Sequence, residues 1–231
     1  MNEDILQKEN GGNLESASAP HKERASAQGA CRVVGIGASA GGLEAFTRLL
    51  EGLPTTTGMA YVFVQHLDPT HPSLLPDLLA RVTAMPVREI VDGMPVEPNH
   101  VYVLPPNAIL TLEQGTFMLS PLLPLGGSRL AIDSFLRSLA REQGPQAIGV
   151  LLSGTASDGT QGLQAIKVEG GLTFAQDAHS AAFPHMPQSA IATGAVDYIL
   201  PPEEIARELT RLSQQLSLQE AHLPALHPSP V

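Results

Sequence analysis

A chain of 231 residues with 43% hydrophobic side chains has material for one sizeable core, and none of its apolar runs approaches the ~20 residues a bilayer-spanning helix needs, which argues against direct membrane insertion. A formal net charge of -10, with 13 Lys and Arg against 23 acids, argues against a nucleic-acid partner, as does the absence of Trp.

Residues 1–31 mix Gly, Ser, Asn and charges of both signs without apolar periodicity and without the apolar stretch of a secretory signal. This predicts a disordered N-terminal tail on a cytoplasmic protein. The single cysteine, Cys31, can form no internal disulfide and stands outside any ligand cluster. A strand predicted over 32–37 runs into Gly37-Ala38-Ser39-Ala40-Gly41-Gly42 and then a helix over 42–51. A G-x-S-x-G sequence at such a turn tolerates a sharp bend and projects the serine hydroxyl at the carboxyl edge of a sheet, beside helix N-terminal amides.

The next strand, 60–65, leads directly to His66, and a helix is expected over 72–83. Residues 86–120 contain VREIV, HVYVLP, AILTLEQ and TFMLS separated by turn signals such as Asp92-Gly93 and Gln114-Gly115, which predicts an antiparallel hairpin insertion. Alternation then resumes: helix 131–142, strand 147–152, helix 160–168, strand 172–175, helix 187–193, strand 196–199 and helix 202–215. The last opens on Pro201-Pro202-Glu203-Glu204, a favourable helix start. The Pro- and His-containing segment 216–231 reads as a second tail. The pattern predicts one α/β domain over 32–215: three layers, doubly wound, with a mostly parallel sheet, helices on both faces and the hairpin insertion at one side.

A serine hydroxyl is a poor nucleophile at neutral pH, so Ser39 needs a base and a group to orient that base. His66 follows the second strand, and Asp158 lies in the Gly-rich LLSGTASDGTQG loop. In an open parallel sheet the carboxyl ends face one crevice, so the three can converge. Several plainer readings stand beside this one. Ser39 can be a turn residue, or part of a nucleotide loop, because Gly35, Gly37 and Gly41 give a loose glycine pattern after a strand. Ser153 is a rival hydroxyl better read as a loop hydrogen-bonding residue. His66, Asp68 and His71 lack a familiar zinc spacing, so no metal is expected. Asp158 can be the N-cap of the helix starting near Gly159 or Thr160, Asp133 and Asp177 suit capping and loop bonds, and Met186 suits packing.

The chain order Ser, His, Asp differs from that of α/β-hydrolases. At these residues the sequence resembles the catalytic domain of chemotaxis protein-glutamate methylesterases, the CheB family. The resemblance covers about 32–215 and rests on GIGASAGG, VQHLD, LLSGTASDGTQGL, AQDAHSAAFPHMPQSAI and VDYILPPEEIA. VQHLDPTHPSLLPDLLA looks like the variant found fused to a CheR-type methyltransferase. The resemblance implies a serine hydrolase that removes methyl groups from glutamyl γ-esters of chemoreceptors and releases methanol, with glutamine deamidation as a related activity. Ser39 would be nucleophile, His66 base and acid, and Asp158 the orienting carboxylate. The backbone near Ala40 and Thr155 would receive the oxyanion, with Met186 at the substrate side, and no cofactor is called for. Ala40 stands where the family often has Thr, Thr155-Ala156 where Met-Gly is usual, and His185 where Gly is common. The expected partner is a methylated chemoreceptor. With no receiver or methyltransferase region recognisable in the sequence, a separate receiver or methyltransferase protein is a further expected partner. An esterase or amidase with another acyl substrate, and a non-catalytic binding module, are the rival functions.

Overall fold

Along the first strand, Val34, Ile36 and Ala38 face one helical layer and Val33, Gly35 and Gly37 face the other, the period-2 alternation of a strand covered on both sides. The computed structural model describes residues 31–65, 74–122 and 130–221. The strands are β1 (Arg32–Ala38), β2 (Met59–Gln65), β3 (Val87–Glu89), β4 (Met94–Pro95), β5 (Val101–Val103), β6 (Ala108–Glu113), β7 (Thr116–Pro121), β8 (Ile148–Leu151), β9 (Leu172–Gln176) and β10 (Tyr198–Leu200). The helices are α1 (Gly42–Glu51), α2 (Leu75–Leu79), α3 (Ala131–Gln143), α4 (Thr160–Val168), α5 (His185–Ile191) and α6 (Pro202–Ala221).

Seven strands form one sheet in the order β10-β9-β8-β1-β2-β5-β3, every pair parallel, and β4, β7 and β6 form a small antiparallel sheet. The expected α/β fold is found. From β1 the chain works outward through β2 to the β5-β3 edge, then returns to β8 on the other side of β1. The switch point therefore lies between β1 and β8, where open α/β sheets form their crevice. Phe46 and Leu49 of α1 and Ile205 and Leu209 of α6 bury one face of the sheet, with Phe46 stacked on Phe63 at 4.2 Å. Arg48 and Glu203 tie those two helices together at 2.6 Å. On the other face lie Ile132, Phe135 and Leu136 of α3, Leu163 and Ile166 of α4, and Leu110, Leu112 and Phe117 of the small sheet.

The insertion differs in detail from the sequence reading. AILTLEQ and TFMLS do form a hairpin, β6–β7, closed by Gln114 and Gly115, both at positive φ as a type I′ turn requires. VREIV and HVYVLP instead supply β3 and β5, which join the large sheet in parallel. Val101, Tyr102 and Val103 are all buried, because this strand is covered on both faces and has no solvent side to alternate with. Three helices also shift. α2 is confined to Leu75–Leu79 and followed by a turn over 80–82, after which the Thr83 hydroxyl accepts the Met85 amide, while 72 and 73 lie outside the described residues. α5 begins at His185, and α6 continues to Ala221, so the expected tail boundary at 216 falls within a helix. Among the described residues no helix is long and apolar enough to cross a membrane.

Candidate active site

Ser39 is the first residue after β1. Its amide donates to Ser153 O at 2.9 Å, extending the β1–β8 pairing one step past the strand, and its carbonyl accepts the Gly42 amide at 2.9 Å, which closes the turn into α1. Gly41 sits at φ 73, and a Cβ there would meet Ser153 Oγ at 2.7 Å; a Cβ on Gly42 would meet that of Ala38 at 2.4 Å. The elbow therefore needs both glycines. Gly35 and Gly37 serve a different purpose. Added Cβ atoms would come within 2.6 Å of Leu136 and 2.3 Å of Ile132, so these glycines let α3 lie against β1. The glycine pattern is helix-on-strand packing, and the nucleotide-loop reading loses its basis. The half-buried Ser39 side chain has no hydrogen-bond partner among the described residues.

The loop after β8 is laced to this elbow. Ser153 is buried, and its hydroxyl donates to Ala40 O at 2.7 Å while accepting the Phe183 amide at 3.0 Å. Gln176 Oε1 accepts the Ser153 amide at 2.8 Å, Gly154 donates to Phe183 O at 2.9 Å, and Met186 donates to Gly154 O at 2.9 Å. Ser153 is thus a loop hydrogen-bonding residue, as its sequence context suggests. Met186 is fully buried and packs on Gly154, where a Cβ would lie 2.7 Å from its Cε, so its side chain supports the loop from beneath. The amides of Ala40 and Thr155 donate to no acceptor among the described residues, leaving two N–H groups on facing loops. Thr155 is exposed and Ala40 half-buried.

Asp158 is buried. Its Oδ2 accepts the Ile132 amide at 3.0 Å and its Oδ1 the Asp133 amide at 2.9 Å, both in the first turn of α3. The plainer alternative for this carboxylate, N-cap of its own following helix, differs from what is found: that position belongs to Gly159 at φ 90, and Asp158 caps α3. Asp133, also buried, accepts the Gly162 amide of α4 at 2.7 Å. Burial pushes the Asp133 carboxyl above the ordinary range, with the Asp158 charge adding to it against the Gly162 amide. Asp177 accepts the His179 and Ser180 amides, the loop role expected of it.

His66 lies outside the described residues, as do Asp68 and His71. The register pairs Ala38 with Gln65, and Ser39 and His66 are the residues that follow this pair in sequence. Gln65 donates from Nε2 to Ser39 O at 3.3 Å, a contact that steadies the elbow from the β2 side. His185 is exposed at the start of α5. Among the described residues no three His, Cys, Asp or Glu gather as a metal site. The Cys31 thiol is pushed up to about 11 by burial and so is not a thiolate at neutral pH.

The family model for CheB methylesterase matches residues 34–209, about three quarters of the chain and all of this site. The chain belongs to the CheB methylesterase family. A protein-glutamate methylesterase/protein-glutamine glutaminase of Anaeromyxobacter dehalogenans is 37% identical over 182 residues, covering 79% of this chain and 53% of the relative. One of Pseudomonas putida is 38% identical over 196 residues, covering 84% and 57%. The crystal structure of the Thermotoga maritima CheB methylesterase catalytic domain superposes with a TM-score of 0.74 at 32% identity, covering 79% of this chain and 98% of that one. The chain spans about half the length of these curated relatives and nearly all of the Thermotoga domain.

As a CheB methylesterase domain, the chain holds features its motifs alone did not isolate: the Ser153 link between loops, the Gln65 contact with the elbow, and the exposed Phe183 ring. A hydroxyl or carboxamide at a strand end is the signal available for the first two. Nothing in the residue type marks Phe183, because a phenylalanine in sequence reads as core.

Proposed function

We propose that this domain is a serine esterase of the cytoplasm that hydrolyses glutamyl γ-methyl esters on a methylated chemoreceptor, and that it deamidates receptor glutamine by the same acyl chemistry. The observation that carries the reading is Ser39: a serine on a tight strand-to-helix elbow at the switch point, its hydroxyl uncommitted among the described residues, with the unbonded amides of Ala40 next to it and of Thr155 in the loop after β8. Family membership supports the substrate class.

In this reading Ser39 Oγ attacks the ester carbonyl as His66 takes its proton. The Ala40 and Thr155 amides receive the tetrahedral oxyanion. His66 returns the proton to the departing methoxide, methanol leaves, and a glutamyl ester on Ser39 remains. Water, deprotonated by His66, then attacks this acyl-enzyme, the acyl–Oγ bond breaks as His66 passes that proton to Ser39 Oγ, and the glutamate side chain is freed. Asp158 holds the imidazole tautomer, and Met186 supports the substrate side from beneath. No step calls for a metal or cofactor. The segment 32–215, completed by the rest of α6, carries the activity, with a separate receiver or methyltransferase protein as regulatory partner.

Active-site labelling tests the assignment. A fluorophosphonate should modify Ser39 stoichiometrically, and peptide mapping should find the adduct there; a folded protein that stays unlabelled, or carries the adduct elsewhere, contradicts it.

A further inference from the structure

Five of the six phenylalanines, Phe46, Phe63, Phe117, Phe135 and Phe174, are fully buried, and Phe183 is 44% exposed. A loose surface loop does not account for this. The Phe183 amide donates to Ser153 Oγ at 3.0 Å, its carbonyl accepts the Gly154 amide at 2.9 Å, and the Ser153 hydroxyl passes on to Ala40 O at 2.7 Å. The backbone is thereby fastened at both its donor and its acceptor to the loop that faces the elbow. The ring leans on the turn itself, its Cδ2 lying 3.3 Å from where a Cβ on Gly41 would sit. An exposed aromatic ring carried on an anchored backbone, against the glycine two residues after Ser39, offers an apolar surface at the elbow.

From this placement we infer that Phe183 is a substrate-contacting residue that sets specificity, its ring forming the apolar wall against which the two methylenes of the γ-methyl glutamyl side chain lie as the ester carbonyl reaches Ser39. The inference rests on the esterase reading above. The occupant follows from the chemistry: the glutamyl stem is the apolar part of that substrate, and the ring lies against the elbow that the ester carbonyl has to reach. The ring offers no donor, acceptor or charge, so it recognises the stem common to ester and carboxamide and does not choose between them.

The test compares wild type, Phe183→Ala and Phe183→Leu on a soluble methylated receptor fragment, with a fluorophosphonate bearing only methyl substituents as a stemless probe of Ser39. Phe183→Ala should lower kcat/KM about tenfold through KM, an effect of the size an apolar pocket contact supplies. The loss should be much larger than that in Ser39 labelling rate, and Phe183→Leu should restore most of it. Wild-type KM in Phe183→Ala, or equal losses with fragment and stemless probe, overturns the inference. Failure of wild type to label or to release methanol overturns the esterase reading, and this inference with it.

Discussion

Asp158 and Asp133 hold each other's helices. Asp158, which precedes α4, receives the Ile132 and Asp133 amides that open α3, and Asp133, within α3, receives the Gly162 amide in the first turn of α4. Neither helix has a side-chain cap from its own N-cap residue, Leu130 or Gly159, so each is capped from the other. The arrangement fixes the end of the loop after β8 to the helix that packs on β1, and so sets the carboxylate relative to the elbow.

Replacing Asp158 by Asn keeps the shape but turns an NH2 toward one of the two amide donors. We expect a stability loss of about 1 kcal/mol from the damaged cap, read by urea unfolding. Turnover should fall much further, by on the order of a thousandfold or more, since a neutral amide neither stabilises an imidazolium nor holds its tautomer. A folded Asp158→Asn with near-normal methanol release would leave this residue as a cap alone.

Asp133 supplies a pH signature. Burial, with Asp158 nearby and Arg137 partly offsetting it, raises its folded carboxyl above the unfolded value. The folded state then holds a proton that the unfolded chain releases, so this group's contribution is present below the ordinary aspartate range of about 4 and is lost as pH rises through the raised folded value. Asp133→Asn has no such proton and keeps an acceptor for Gly162. Its stability relative to wild type should therefore climb with pH across this window and then level; a difference that stays flat would contradict the assignment.

Gly37→Ala should cost about 1 to 3 kcal/mol, because the new methyl meets Ile132 at 2.3 Å within a packed interface. Adding ATP should leave the melting temperature of wild type unchanged. Stabilisation by nucleotide would restore the phosphate-loop reading that the α3 packing displaces.

Ser153→Ala removes the buried hydroxyl that joins the Ala40 carbonyl to the Phe183 amide and leaves a partly buried donor and acceptor without their protein partner. A loss of about 1 kcal/mol is expected in thermal unfolding, because both released groups are only partly buried. The rate of Ser39 labelling should drop as the elbow loosens, and an unchanged rate would show that the Ser39 amide bond to Ser153 O suffices to hold it.

Much of the fold was legible because periodicity and punctuation agreed. Gly41 marks the elbow, Pro202 and Glu203 mark the start of α6, and the strands on either side of the switch point are short apolar runs bounded by turn residues. β3 and β5 were misplaced into hairpins because Val101–Val103, buried on both faces, has no polar side whose alternation would reveal its neighbours. The place of Ser39 at the turn between β1 and α1 was legible from its small flanking residues. The partnership of Asp158 with α3 was not, since it joins positions 25 and 26 residues apart that only the packing of α3 on β1 brings together.

Methanol release from a methylated receptor fragment, measured for wild type and Ser39→Ala at equal concentration, tests the central claim most directly. Wild type should release methanol with formation of free glutamate, and Ser39→Ala, which suits the tight turn and should fold normally, should release none above the uncatalysed rate. Methanol release by Ser39→Ala at the wild-type rate, or none from a folded wild type, would contradict the account.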